Sequence, residues 1–177
     1  MRIVAGSKKG HRFAAPKGVV TRPTGDRVRE AAFSLVGPVA GAAVLDLFAG
    51  SGAMGLEALS RGAASCVFVE RDREATRVIQ SNLEKLGLTG AVVANRSVDA
   101  VLRGESSRGR RYDLVLADPP YEEWKTHEPT LAGLLPVVLA DDALVVVETA
   151  ADVEPELPLD LVTTRRYGSA RLTLFTQ

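Results

Sequence analysis

The motif Asp118-Pro119-Pro120-Tyr121 directly follows an apolar stretch over 114–117. Because two consecutive prolines neither continue a strand nor begin an ordinary helix, the chain must leave the strand as a stiff arch. The Asp118 carboxylate and the Pro119 carbonyl are acceptors that could hold the hydrogens of a nucleobase amine and turn its lone pair toward a methyl donor. Tyr121 offers a face on which the base could stack. The motif predicts that these four residues catalyse group transfer to a base amine.

Three glycines, Gly50, Gly52 and Gly55, form a G-x-G-x-x-G pattern between an apolar strand-like run and a helix, which is the context that this motif requires. Glycines here let the backbone turn tightly and approach a ligand. Glu70 ends the next apolar run, 20 residues after Gly50, where a carboxylate can accept hydrogen bonds from both hydroxyls of a ribose. The spacing predicts an adenosine-containing cofactor, bound by Ala49, Gly50, Ser51, Gly52 and Glu70.

Asp46 precedes the glycine-rich loop at the mouth of the first strand and indicates the chemistry of the cofactor. A negative charge at this position would repel the pyrophosphate of a dinucleotide. It would attract a sulfonium compound that also carries an amino-acid ammonium group. The residues therefore favour S-adenosylmethionine over a nicotinamide cofactor, with Asp46 and Asp118 among the residues that contact it.

Apolar strand-like runs alternate with amphipathic helices from residue 42 onward, which predicts a mostly parallel sheet covered on both faces. The expected strands span 42–48, 65–70, 91–95, 112–118 and 143–148. The expected helices begin near residue 54 and span 73–86, 98–102 and 129–139. The tail over 161–175 reads as two antiparallel strands around a turn. In such a doubly wound sheet the glycine-rich loop and the arch meet at one edge.

The composition is that of an ordinary globular protein, and the length of 177 residues suits one full domain with a real core. One cysteine excludes an internal disulfide framework, and two isolated histidines argue against a metal site. The apolar runs are shorter than a membrane span, and the first residues do not resemble a signal peptide. We therefore expect a cytoplasmic protein that contacts no membrane.

The charge distribution sets the first 37 residues apart. They hold eight lysines and arginines against two acids, a net charge of +6, so the remainder carries −6. The expected elements are two short strands over 2–6 and 12–15, a turn between them, and a helix that starts near residues 23–26 and ends at Gly37-Pro38. A basic extension over 1–37 beside an acidic domain over 38–177 suggests a polyanionic partner.

The stretches "VLDLFAGSGAMGLEALSRGA", "VFVERD" and "DPPY" resemble the class I S-adenosylmethionine-dependent methyltransferases that act on base amines. The stretches "RIVAGSKKGHRF" and "TRPTGDRVREAAF", together with the length, resemble the RsmD family, which methylates the exocyclic N2 amine of a guanine in small-subunit (16S) ribosomal RNA. The resemblance implies a Rossmann-like, doubly wound α/β sheet of seven strands with the last strand antiparallel. It also implies a basic β-hairpin that helps bind RNA packaged with ribosomal proteins in a 30S particle.

Carried over by position, the resemblance assigns roles to further residues. Asp46, Gly50 and Gly52 line the methionine part of the cofactor, Glu70 takes the ribose, and the backbone at Arg71 faces the adenine. The adenine contact falls on Ser97 by spacing or on Asp99 by chemistry. The expected RNA-binding residues are Arg2, Lys8, Lys9, Arg12, Arg22, Thr24, Arg27, Arg29 and Tyr167, and the expected state is a monomer.

Two other activities and one binding function fit parts of the sequence. An amine-directed DNA methyltransferase would share the proline-rich arch, although the chain shows no separate target-recognition domain. A dinucleotide-dependent oxidoreductase would share the glycine pattern alone, without a second substrate domain or an evident proton donor. A pure RNA-binding module would suit the basic extension but would need no cofactor pocket.

Overall fold

Seven strands form one sheet in the order β3-β2-β1-β4-β5-β7-β6. The computed structural model describes residues 1–16 and 25–177. Its strands are β1 (Ala43–Leu47), β2 (Ser65–Glu70), β3 (Ala91–Asn95), β4 (Tyr112–Ala117), β5 (Leu139–Ala150), β6 (Asp160–Tyr167) and β7 (Ala170–Thr176). Its α-helices are α1 (Gly25–Val36), α2 (Ala53–Ser60), α3 (Arg73–Leu86), α4 (Val98–Ser107) and α5 (Trp124–Leu134).

Strands β1 to β5 pair in parallel, whereas β7 is antiparallel to both β5 and β6. This arrangement confirms the predicted doubly wound sheet and the antiparallel strand pair in the tail. The helices cover both faces, because crossover connections between parallel strands place helices there. One hydrophobic cluster packs α1, α2 and α3 against one face of the sheet, and a second packs α4 and α5 against the other.

The basic hairpin differs from the two strands expected over 2–6 and 12–15. Within residues 1–16, an isolated antiparallel bridge joins Arg2 to Arg12, and no regular strand forms. The backbone N–H groups of Val4 and Ala5 donate instead to the two carboxylate oxygens of Glu57 on α2, at 2.8 and 2.9 Å. A side chain of the neighbouring helix thus takes the hydrogen bonds that a partner strand would have taken.

The hairpin is docked firmly on the helical layer. Ile3 and Phe13 are buried in the same hydrophobic cluster as α2 and α3. The Asn82 side chain on α3 accepts from the N–H of Ala14 at 2.9 Å and donates to its carbonyl at 3.0 Å. Residues on both sides of the expected division between 1–37 and 38–177 therefore share one core.

Two helices and a strand differ from their expected bounds. Helix α4 continues to Ser107, so the basic stretch over 103–111 is partly helical. Helix α5 starts at Trp124 rather than near Pro129, because Trp124 is buried in the second hydrophobic cluster and anchors an earlier turn. Strand β5 starts at Leu139, four residues before the apolar run, and includes two exposed aspartates. Among the described residues, no helix is both long and apolar enough to cross a membrane.

Glu57 holds the hairpin and two arginines together. Its side chain is 0% exposed, and it lies 3.4 Å from Nε of Arg29 and 2.8 Å from Nε of Arg61. Arg29 is 2% exposed and also donates to the carbonyl of Arg2 at 2.6 Å. Removing one partner of a buried ion pair leaves an uncompensated charge, which is far costlier than losing a surface pair.

We expect Glu57→Ala to lower the free energy of unfolding by about 3–5 kcal/mol, because two backbone N–H groups and Arg61 lose their acceptor and the buried Arg29 guanidinium loses one of its two carboxylate partners, Asp26 being the other. Urea denaturation measures this change, and the exposed substitution Glu30→Ala serves as a control that should stay within about 0.5 kcal/mol of the wild type. A loss below about 1 kcal/mol would show that the Glu57 pairs contribute no more than surface pairs do.

Candidate active site

A cavity of about 1000 Å³ opens at the carboxyl ends of the parallel strands. Its lining includes residues of the glycine-rich loop, the ends of β2 and β4, the start of α4, one face of α5 and the N-terminal end of α1. The glycine-rich loop and the proline-rich arch therefore face the same space, as the sequence predicts. Ligands of open α/β sheets bind at this edge.

Strand register brings acids from neighbouring strands to the same level of the cavity. Pairing among β1, β2, β4 and β5 sets Leu47, Val69, Ala117 and Val147 side by side, and the residue that follows is an acid on three of these strands: Glu70, Asp118 and Glu148. All three line the cavity, as does Asp46, which lies one residue before the end of β1. The site thus concentrates negative charge and hydrogen-bond acceptors.

The glycine-rich loop needs its glycines for different reasons. Gly50 and Gly52 have φ of +53° and +79°, in the left-handed region that favours glycine. The N–H of Gly52 donates to the carbonyl of Ala49 at 2.7 Å and closes the turn. At Gly55, a Cβ atom would lie 2.3 Å from the Phe68 ring, so this glycine lets α2 pack closely on β2. The loop backbone is thereby held at the cavity wall.

Glu70 ties the glycine-rich loop to the end of β2. Its two carboxylate oxygens each accept a backbone N–H at 2.8 Å, from Gly50 and from Asp72. Because a carboxylate offers about four acceptor positions, it can bind further donors such as ribose hydroxyls. The Asn95 side chain donates to the carbonyls of Glu70 and Arg71, at 3.1 and 2.9 Å, and braces this strand exit.

Asp46 is 3% exposed, and this burial raises its pKa to about 7. The charge of Glu70 acts in the same direction, whereas the N–H of Gly55, which donates to Asp46 at 2.9 Å, acts against it. A buried carboxylate of this kind gains from a nearby cation, which favours its charged form. The cavity therefore suits a positively charged ligand.

The two candidate adenine contacts are neighbours at the start of α4. Ser97 is the N-cap residue of α4 and Asp99 lies in its first turn, and both line the cavity. A hydrogen bond from the Ser97 side chain lowers the pKa of Asp99. Both residues are therefore placed where an adenine could meet them.

The arch places its residues around the cavity mouth. Asp118 and Pro120 are exposed, Pro119 is buried, and the chain continues into a short 3₁₀ turn over Tyr121–Glu123. The hydroxyl of Tyr121 donates to Oε1 of Glu148 at 2.9 Å. Asp118, Pro119 and Pro120 line the cavity, whereas Tyr121 packs against the first hydrophobic cluster.

A second set of contacts, which sequence reasoning missed, connects the arch to the far wall. The Glu123 carboxylate pairs with Arg71 at 2.9 Å and with His127 at 3.1 Å. Both hydrogen bonds lower the pKa of Glu123, and the bond to His127 has the larger effect. The His127 ring lies 4.6 Å from the Phe48 ring, centroid to centroid. Phe48 has a φ of +59°, and its ring packs with α5 in the second hydrophobic cluster. The alternation of side chains along β1 would instead place this ring on the opposite face of the sheet.

The expected RNA-binding residues fall into separate groups. Arg2, Lys9, Arg12 and Arg27 are exposed and Lys8 is half-buried, on or beside the docked hairpin. Arg22 and Thr24 lie outside the described residues. Tyr167 is half-buried at the end of β6 and packs against the first hydrophobic cluster. Arg29 does not present a surface charge, because its guanidinium is buried against Glu57 and Asp26, which corrects the expectation that it meets phosphates.

The whole chain matches a known protein family. The model of the family described as Conserved hypothetical protein 95 matches residues 1–176. Ribosomal RNA small subunit methyltransferase D of Escherichia coli K12 is 38% identical over 159 residues, which cover 89% of this chain and 78% of that protein.

Two further relatives match over almost their full length. Bacillus subtilis YlbH, provisionally named an rRNA methyltransferase, is 40% identical over 185 residues, covering 99% of this chain and 98% of YlbH. The solved structure of Escherichia coli YhhF, provisionally named a methyltransferase, superposes with a TM-score of 0.87 at 33% identity, covering 100% of this chain and 97% of YhhF. The similarity therefore extends over both the hairpin and the sheet.

Asp46→Asn tests the buried acid. Because folding raises the pKa of Asp46, the stability that its neutral form contributes is present at low pH and is lost as pH rises toward 7. The amide in the variant avoids this loss. We compare the free energies of unfolding of variant and wild type. We expect the difference, variant minus wild type, to be larger at pH 8 than at pH 5 by on the order of 2–3 kcal/mol.

Urea denaturation at the two pH values measures this difference, and Asp152→Asn, an exposed aspartate on the loop before β6, is the control. The control should follow the wild-type pH profile. Identical pH profiles for wild type and Asp46→Asn would mean that burial does not raise the pKa of Asp46.

Proposed function

This chain belongs to the RsmD family, and on that premise we propose that it transfers a methyl group from S-adenosylmethionine to the exocyclic N2 amine of a guanine in small-subunit ribosomal RNA. The observation that carries the proposal is the shared cavity, in which the glycine-rich loop, Glu70 and the Asp118–Pro120 arch face one another. A cofactor site and an acceptor site for a base amine must adjoin for direct transfer. The names of the relatives support the RNA substrate.

The residues present fit the cofactor. Its amino-acid ammonium and its sulfonium are cations, and the buried carboxylate of Asp46 gains from either charge. Glu70 is placed to accept from ribose hydroxyls beside Gly50. Ser97 and Asp99 offer polar contacts for the adenine edge. When bound, S-adenosylmethionine supplies an electrophilic methyl group on a positively charged sulfur.

The arch performs the chemistry on the base. An exocyclic amine is a weak nucleophile because its lone pair is delocalised into the ring. The Asp118 carboxylate and the carbonyl of Pro119 accept the two amine hydrogens and thereby orient the lone pair, and Asp118 can take up the proton that the nitrogen loses. The Tyr121 ring stacks on the base, a contact worth about 1–3 kcal/mol. Positioning supplies most of the rate enhancement in this scheme.

The basic hairpin and its flanks bind the RNA in this proposal. Pro16 and Gly25 line the cavity on either side of residues 17–24, so the basic extension approaches the cavity mouth directly. Exposed Arg2, Arg12 and Arg27 contact phosphates and position the substrate without reading sequence. The substrate is the assembled or assembling 30S particle, met by a cytoplasmic monomer.

A dinucleotide-dependent oxidoreductase fits the site less well. The pyrophosphate would lie against a cavity wall that carries Asp46, Glu70 and Asp118. An acidic wall repels such a group. The glycine pattern by itself does not offset this repulsion.

Asp118→Ala tests the assignment of the arch. We expect methyl transfer from labelled S-adenosylmethionine to under-methylated small ribosomal subunits to fall at least about 100-fold, because the amine loses its main acceptor. The affinity for S-adenosylhomocysteine, measured by calorimetry, should change by only a few fold. The control is Asp141→Ala, which changes an exposed aspartate near the amino end of β5, at the end of the strands opposite the cavity. It should leave both quantities unchanged.

Unchanged turnover in the Asp118 variant would remove this residue from the mechanism. Methyl transfer to free DNA but to neither free RNA nor subunits would redirect the proposal to DNA. Mapping the modified base in the subunits identifies the guanine and its N2 position.

A further inference from the structure

Strand β6 forms one edge of the sheet, and its last residues lie at the same end as the cavity. Pairing through β7 sets Arg165 level with Leu172, and Leu172 level with Glu148 of β5, which lines the cavity. Adjacent strands are about 4.8 Å apart, so the backbone at Arg165 lies about 10 Å from the β5 wall of the cavity. The mechanism above gives Arg165 no role.

Two neighbouring arginines of β6 lie on opposite faces of the sheet, because side chains alternate along a strand. Arg165 pairs with Leu172 of the first hydrophobic cluster, and Tyr167, two residues on, packs against that cluster. This is the face that α1 covers. Arg166 pairs with Arg171 and lies on the other face. The strand therefore presents one exposed arginine on each face.

The face that carries Arg166 also carries an acid. The guanidinium of its cross-strand partner Arg171 is 3% exposed and pairs with Oε1 of Glu154 at 3.0 Å. Glu154 itself is 73% exposed, so its carboxylate faces solvent near Arg166. A polyanion that approached this face would meet a negative charge.

The α1 face is basic between β6 and the cavity. Helix α1 packs on β5 and β7, next to β6, and its first turn lines the cavity and carries exposed Arg27. No ion pair among the described residues involves Arg165 or Arg27. Of the acids of α1, Asp26 pairs with two arginines, and Glu30 lies about one turn farther from the cavity. The two arginines therefore extend a positive surface outward from the cavity.

RNA carries a negative charge on every phosphate, and arginines bind phosphates without reading the sequence. When one base lies in the cavity, the flanking phosphates must continue over the surface beside the mouth. We propose that Arg165, together with Arg27, binds the phosphates that flank the target nucleotide on the β6 side of the cavity. The basic hairpin lies on the other side, because it docks on α2 and α3, which pack on β1, β2 and β3. This inference rests on the proposed function and adds a second RNA-binding surface to it.

Arg165→Glu and Arg166→Glu test this surface as a matched pair, because they make the same charge change at adjacent exposed positions on opposite faces. Binding to under-methylated small subunits is measured at several salt concentrations. We expect Arg165→Glu to weaken binding at least about ten-fold at about 0.1 M salt, and to reduce the salt dependence of log K by about one phosphate contact. We expect Arg166→Glu to stay within about three-fold of the wild type, because charges more than about 10 Å apart are largely screened at this salt concentration.

A cross-link identifies the partner. Cys66 is the only cysteine of the chain and is buried, so a photoreactive reagent can be attached selectively to the new thiol of Arg165→Cys. We expect cross-links from position 165 to the RNA of the small subunit, and few from the same reagent on Arg166→Cys. The affinity for S-adenosylhomocysteine reports whether each variant is folded.

Unchanged binding by Arg165→Glu overturns the inference, as does equal weakening by Arg165→Glu and Arg166→Glu. Cross-links from position 165 to ribosomal proteins alone also overturn it, because the partner would then be a protein. Should Arg165→Glu lose its affinity for S-adenosylhomocysteine, the cross-links decide. A wild type that binds small subunits but methylates no guanine contradicts the proposed function instead, so the two failures are distinguishable.

Discussion

Parallel pairing of β1, β2, β4 and β5 is the constraint on which the whole site depends. It aligns the ends of these strands, so that Glu70, Asp118 and Glu148 reach one cavity although nearly 80 residues separate the first from the last. A slip of one residue in any strand would send its acid to the other face of the sheet. The buried apolar faces on both sides fix the register and therefore also fix the chemistry of the edge.

The molecule uses buried charge in two opposite ways. Glu57 is fully buried but faces Arg29, Arg61 and two backbone N–H groups, so it stabilises the docked hairpin. Asp46 is buried beside the N–H of Gly55 and the like charge of Glu70, and its burial, helped by the Glu70 charge, raises its pKa. The first arrangement strengthens the fold, whereas the second costs stability and is relieved by a cationic ligand. On the proposed function, the first carboxylate is structural and the second binds the cofactor.

The sequence predicted the sheet, the glycine-rich loop and the arch because each depends on local patterns: apolar periodicity, glycine spacing and paired prolines. Other features were out of reach because they depend on tertiary contacts. Glu148 sits in an ordinary apolar strand, and only its neighbour across the sheet makes it notable. From the sequence, Arg29 is expected to be a charge on the helix surface, and only the structure shows that it is buried against Glu57. The ring of Phe48 is redirected by a positive φ that no residue preference foretells.

Calorimetric titration with S-adenosylhomocysteine at pH 7, in two buffers of different ionisation enthalpy, tests the central claim most directly. S-adenosylhomocysteine lacks the sulfonium charge but keeps the amino-acid ammonium, and this cation beside Asp46 lowers the pKa of that carboxyl from about 7. Binding should therefore release about half a proton from the wild type and none from Asp46→Asn. Binding of NAD without binding of S-adenosylhomocysteine would contradict the account. So would tight binding of S-adenosylhomocysteine with no proton release from the wild type.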